Sequence, residues 1–264
     1  MIENVTQVGS LHPKPRLFSS FQLFISFFLI LPLAFPSLAR SQSLEAFEKR
    51  VTEHTLANGW KFILVERSVA PVFAFMTRVN VGSAQEGAGV TGLAHMFEHM
   101  AFKGTPRLGT KDYQKEKPAL KALEQAYLAY QEARFNPKID TQEVENLRTT
   151  FKEKQRAAAK FVKKNEFGDI IEREGGVALN AFTSADVTGY FYALPTNKIE
   201  LFAYLESERF LHPVFREFYE ERDVVMEERR MRTESRPIGR LLEQFTATSF
   251  TAHPYHHPVI GYAS

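Results

Sequence analysis

Two imidazoles one helical turn apart with a carboxylate between them, His95-Met96-Phe97-Glu98-His99, are the group in this 264-residue chain best equipped for chemistry. Residues four apart share one face of an α-helix, so His95 and His99 can reach a single ion, and Glu98 lies at the edge of that face. Zinc takes nitrogen and oxygen ligands tetrahedrally, and a catalytic site supplies three protein groups and leaves the fourth position to water. The spacing therefore predicts two metal ligands and a general base, with a third ligand from elsewhere in the chain. Such a site performs metal-assisted hydrolysis: the ion lowers the pKa of water to roughly 7 and polarises a carbonyl, while the carboxylate passes the proton to the leaving amine. The chain has no cysteine, which excludes a cysteine nucleophile and thiolate metal ligands. It has no Gly-x-Ser-x-Gly elbow either. Taken alone, the five residues also fit a surface helix that carries two histidines and a glutamate by chance.

The surrounding elements must position the motif. Gly82, Gly87, Gly89 and Gly92 lead into it as a flexible run, and Leu93, Met96, Phe97, Met100 and Phe102 give its helix packing side chains. Lys103-Gly104-Thr105-Pro106 stops that helix, with glycine at the cap and proline just beyond. Strands are expected at Val51 to Thr55, Lys61 to Glu66 and Val72 to Val79. Asn180 to Ser184 and Thr188 to Leu194 read as two further strands joined by Ser184-Ala185-Asp186-Val187, with Phe182, Phe191 and Leu194 as sheet core. Phe215 to Arg232 has helical composition. Within it Glu221 and Glu228 are seven apart and share a face, while Glu220, Glu227, Arg229 and Arg230 read as a solvated, salt-bridged face. Between Thr110 and Asp169, Leu120, Leu123, Tyr127 and Tyr130 recur at helical spacing. Asn136-Pro137 breaks the run, and Val144, Leu147, Phe151, Phe161 and Val162 follow, so an antiparallel helical hairpin is expected over 110–169.

Several of these blocks, in this order, resemble the insulinase, pitrilysin and mitochondrial processing peptidase family of zinc metallopeptidases, whose His-x-x-Glu-His order is that of the inverzincins. They are Leu56-Ala57-Asn58-Gly59, Gly92 through Thr105, Gly175-Gly176 through Asn180-Ala181-Phe182-Thr183, and Glu221 through Glu228. The resemblance covers most of residues 48–264 apart from the interruption at 110–169. It implies an α+β fold, a two-layer sandwich of a mainly antiparallel sheet packed on helices, with the helical hairpin inserted. It implies one Zn2+ per chain held by His95, His99 and Glu228, with Glu98 as general base and Glu221 supporting the site from nearby, as outer carboxylates do. Neighbouring helical residues point about a hundred degrees apart, so Glu227 competes with Glu228 for the ligand role, and the resemblance favours Glu228. Asn180, Ala181, Phe182 and Thr183 would line the cleft as an edge strand that pairs with substrate backbone, which gives affinity with little sequence preference. The implied activity is endopeptidase action on short or unfolded polypeptides. The alternative is a non-catalytic or incomplete subunit that binds peptide or a partner chain. In the family, the loop resembled by His253 to Gly261 is followed by the rest of the domain and then a second homologous domain, so a second domain or chain completing a clamshell is an expected partner. His253, His256 and His257, set among Pro254 and Pro258, read as solvated loop histidines rather than a second metal site.

Lys14 and Arg16 precede the apolar stretch Leu17 to Phe35 and then Pro36-Ser37-Leu38-Ala39, the pattern of a secretory signal over residues 1–39. That predicts export to the periplasm or the exterior, with 44–264 as a metallopeptidase domain incomplete at its C-terminal side. The competing reading is an uncleaved membrane anchor, for which ~20 apolar residues are needed. The net charge of +2 and the 24% of charged residues argue against a nucleic-acid partner.

Overall fold

The computed structural model describes residues 44–263, so the secretory-signal reading of residues 1–39 lies outside the described residues. Two compact units divide between Ser68 and Val69. In the first, a short helix α1 (Leu44–Glu48) precedes strands β1 (Val51–Thr55) and β2 (Lys61–Val65), which pair antiparallel with Val51 opposite Val65. Asn58 and Gly59 make the turn. Gly59 takes φ +87°, a left-handed backbone open to glycine, and the Asn58 side-chain oxygen accepts from the Trp60 N–H at 3.1 Å.

The second unit is built on β3 (Val72–Val79), β4 (Val177–Thr183) and β5 (Thr188–Pro195), an antiparallel sheet in the order β3-β5-β4. Val72 lies opposite Pro195, and Thr183 lies opposite Thr188 across the turn at 184–187. Side chains alternate across a strand, and here Phe73 and Phe75 of β3 join Tyr192 and Leu194 of β5 on one face. Helices α5 (Glu166–Arg173) and α6 (Ile199–Leu211) cover that face with Phe167, Ile171, Phe202 and Leu205. This is an α+β arrangement of sheet on helices. Inside it the Glu206 carboxylate accepts from Thr77 Oγ1 at 2.6 Å, the Tyr192 hydroxyl at 3.2 Å and Arg209 Nη2 at 2.7 Å. The Arg209 guanidinium lies 4.4 Å from the Tyr190 ring centre. A buried charge survives only when paired in this way.

Helices α3 (Tyr113–Phe135) and α4 (Thr141–Ala159) form the expected hairpin, sealed by Leu123, Tyr127, Tyr130, Phe151 and Ala158 against Tyr219. Asp112 and Asp140 cap them, each accepting from the N–H three residues on. Phe161 and Val162, expected on the second helix, lie past its end and instead close the base of the hairpin: Val162 pairs with Thr110, and the Lys111 N–H donates to the Phe161 carbonyl at 2.7 Å.

Four further expectations change. Leu93 and Phe97 are half exposed, because the buried side of their helix is the one with Met96 and Met100, and Phe97 meets only the edge of Phe215, itself half exposed. Of the aromatic strand pair, Leu194 is core and Phe191 half buried, but Phe182, on the edge strand, stays 39% exposed. The helix expected over Phe215 to Arg232 starts later, as α7 (Phe218–Arg229), because Arg216 turns inward and Glu217 takes φ +58°. A π-type turn, Arg230–Glu234, then leads to α8 (Pro237–Ser249). Arg229 is not on a solvated face. It is buried, donating to the Gly261 carbonyl at 2.7 Å and to Glu243 at 3.0 Å.

Leu205→Ala, which empties a fully buried position, is expected to lower unfolding stability by ~2–5 kcal/mol, whereas Leu241→Ala on the exposed side of α8 changes it by less than about 0.5 kcal/mol. Denaturant unfolding of both variants checks the contrast, and equal losses would place the core elsewhere.

Candidate metal centre

The helix carrying the two histidines, α2 (Leu93–Met100), begins at Gly92, whose φ of +89° turns the chain into it. The glycine run before it is not loose. The Glu86 carboxylate accepts from the backbone N–H groups of Gly92 and Ala94, both at 2.7 Å, satisfying donors that a helix start leaves unpaired. Met96 and Met100 pack on Val225 of α7, which brings the two helices together beside His95, His99 and Glu228.

Between the two helices, His95, His99 and Glu228 each offer one donor atom, all within 4.8 Å of one another. Glu228 Oε2 is 3.8 Å from His95 Nε2 and 3.7 Å from His99 Nε2, too long for hydrogen bonds. Ligands at ~2.0–2.2 Å from a tetrahedral zinc stand roughly 3.3–3.6 Å apart, so the two distances to Glu228 are close to that spacing, while the widest separation in the group, up to 4.8 Å, would have to narrow around an ion. Two imidazole nitrogens and one carboxylate oxygen are also a donor set zinc accepts. Among the described residues no other such group of histidine and acidic side chains comes together.

Two of the three are held from behind, whereas His95 Nδ1 is buried without a hydrogen-bond partner. Glu221, two turns before Glu228 on α7, lies 3.1 Å from His99 Nδ1 through Oε2. A carboxylate only accepts, so Nδ1 carries the proton and Nε2 is left facing Glu228. Lys103 donates to the other oxygen of Glu221 and stands 3.5 Å from Glu217. Arg232 Nη1 lies 2.6 Å from Glu228 Oε1, which leaves Oε2 to the histidines. Glu227, the competing candidate, points into solvent and is taken up by Arg230. Electrostatics follow the contacts. The Glu221 hydrogen bond raises the His99 pKa above its ordinary value, and burial lowers that of His95. The bond to His99 in turn holds the Glu221 carboxyl below the usual range. His95 is thus favoured in its neutral, ligating form, and Glu221 in its charged, orienting form.

Glu98 accepts a hydrogen bond from Thr183 Oγ1 on β4, so the motif and the expected substrate strand meet at one bond. Among the described residues β4 pairs only with β5. Its other edge is open along Asn180, Ala181, Phe182 and Thr183, with Asn180 and Phe182 exposed. The Phe182 ring lies over Gly189 of β5, where a Cβ would stand 2.4 Å from it.

The loop histidines divide. His253 and His256 are exposed, but His257 is buried, with Nδ1 3.8 Å from Glu86 Oε2. Sequence reasoning missed Glu86, Lys103, Arg216 and Arg232 in this region. Lys103 and Arg232 carried a usable signal, each lying four residues beyond a site residue, His99 and Glu228, just past the end of that residue's helix.

The chain is similar in sequence and fold to known zinc proteases. The model of the insulinase family (peptidase family M16) matches residues 61–158. The chain is 30% identical over 231 residues to the zinc protease PqqE of Helicobacter pylori, covering 86% of this chain and 39% of that protein. It is 24% identical over 201 residues to the insulin-degrading enzyme of Bos taurus, covering 76% of this chain and 14% of that one. The crystal structure of a protease from Helicobacter pylori superposes with a TM-score of 0.57 at 29% identity, over 80% of this chain and 38% of that one. The chain thus spans well under half the length of these relatives.

Glu221→Gln is expected to lower zinc affinity by ~10–100-fold and Glu228→Gln by more, while Glu227→Gln leaves it unchanged, as read by competition with a chromophoric chelator. Equal loss in the Glu227 and Glu228 variants would put the third ligand elsewhere.

Proposed function

This chain belongs to the insulinase family, peptidase family M16, and we propose that it is a zinc-dependent endopeptidase, or the zinc-bearing part of one, that hydrolyses short or unfolded polypeptides. The observation that carries this reading is the convergence of His95, His99 and Glu228 within 4.8 Å, beside a glutamate tied to an open strand edge. One Zn2+ would be held by those three residues and would supply acidified water and a polarised carbonyl.

The chain's own groups do the rest. Glu98 takes the proton of the attacking water and delivers it to the leaving amine nitrogen. The Thr183 hydroxyl, bonded to Glu98 Oε2, holds that carboxylate at the strand edge where a scissile bond would lie. Asn180 to Thr183 receive an extended peptide as an added strand, through main-chain hydrogen bonds that read little sequence. Glu221 keeps His99 in the tautomer that ligates.

We further propose that residues 1–39 are a secretory signal and that the protein works in the periplasm or outside the cell. Among the described residues no helix is long and apolar enough to cross a membrane. A second homologous domain or chain is proposed to complete the substrate enclosure, consistent with relatives far longer than this chain.

Glu98→Gln is expected to lower turnover of an unstructured fluorogenic peptide by at least ~100-fold while zinc content is retained, and chelator is expected to silence the parent chain. Silence of the folded, zinc-loaded parent would support the alternative of a peptide-binding or incomplete subunit.

A further inference from the structure

Arg216 is fully buried and makes five hydrogen bonds. Its Nε and Nη2 donate to the two oxygens of Glu116 at 2.8 and 3.0 Å. Its Nη1 donates to the carbonyls of Lys103 and Leu108 at 2.7 and 2.8 Å, and its Nη2 also to that of Thr105 at 2.8 Å. All donor capacity of the guanidinium is used. Glu116, its partner, is itself 0% exposed.

Arg216 is about a hundred residues from both segments that it joins, which follow one another in sequence. The carbonyls belong to the loop leaving α2, Glu116 sits in the first turn of α3, and Arg216 stands two residues before α7. The loop is wound around the guanidinium: Gly104 and Gly109 take φ of +97° and +78°, and a Cβ on either would come within 2.7 or 2.8 Å of Arg216 Nη1. Lys103, fixed by its carbonyl, sends its ammonium to Glu221, and Glu221 holds His99 Nδ1. A continuous set of polar contacts therefore runs from the hairpin to the metal ligand.

We propose that Arg216, oriented by Glu116, is a positioning residue for the metal centre. It fixes the exit of α2 against the entry of α7 and, through Lys103, aims Glu221 at His99. The hairpin over 110–169 is then more than a surface decoration, because it supplies the counter-charge without which the guanidinium would be buried unpaired. The inference rests on the zinc-site reading above. Lysine cannot replace Arg216, since an ammonium lacks the planar fork that reaches five acceptors.

The test uses the full chain and the variants Arg216→Lys, Glu116→Gln and Lys103→Met, with native circular dichroism required of each. Zinc affinity is read by chelator competition and ligand geometry by the visible spectrum of the cobalt-substituted protein. Glu116→Gln and Lys103→Met are each expected to weaken zinc binding ~10-fold and to alter the cobalt bands, with the double variant little worse than the weaker single, because both act along one path. If Arg216→Lys does not fold, the other two variants decide. Parent-like zinc affinity and cobalt spectra in the folded variants would reduce the pair to a core ion pair and overturn the proposal. A parent that binds zinc but cleaves nothing would sink the peptidase reading while leaving this inference standing, and a parent that binds no zinc would sink both.

Discussion

The separation of α2 and α7 is the constraint on which the rest of the unit depends. A tetrahedral site tolerates errors of only a few tenths of an ångström between donor atoms, yet its proposed ligands come from two helices, with His99 and Glu228 129 residues apart in sequence. Met96 and Met100 against Val225 set the spacing on the apolar side. Methionine is adaptable and specifies position poorly, so the precision has to come from polar contacts around that patch. Glu86 fixes the start of α2, Arg216 fixes its exit, and Arg229 ties α7 to the segment that packs on Gly92.

Those contacts explain why so much charge is buried. Arg209 with Glu206, Arg216 with Glu116 and Arg229 with Glu243 are three paired cations with little exposure. A buried pair contributes little net stability compared with well-packed apolar residues, but losing one partner costs heavily. Such pairs act against alternative packings more than they deepen the native state. Through these pairs Glu206 also ties α6 to Thr77 and Tyr192 of the sheet, Arg216 ties the start of the hairpin to the exit of α2 and the entry of α7, and Arg229 ties α7 to α8 and to Gly261. Among the described residues the outer edge of β4, by contrast, carries no buried ion pair.

Local pattern reported local structure well. The spacing of His95 and His99 placed them on one face, the bounds of β1 and β3 follow from composition, and Asn136-Pro137 marks the hairpin tip. Glu228 and Glu221 share a face as a seven-residue step requires, and both reach the histidines. What pattern could not reveal were partners distant in sequence. Glu116 and Arg216 are 100 residues apart, and nothing in either neighbourhood marks them as a pair rather than as solvated charges. Arg229 and His257 read as exposed for the same reason, since burial of a polar residue is decided by the segment that closes over it. Leu93, Phe97 and Phe182 err the opposite way, because periodicity identifies an apolar side chain but not whether another element arrives to cover it.

The most direct test of the account is an anomalous-scattering map at the zinc absorption edge from crystals of the chain grown with Zn2+. The account predicts a single strong peak ~2.0–2.2 Å from the Nε2 atoms of His95 and His99 and from a carboxylate oxygen of Glu228, with Glu221 still on His99 Nδ1. A peak held by Glu227 or by the loop histidines, or no ordered zinc between α2 and α7, would contradict it.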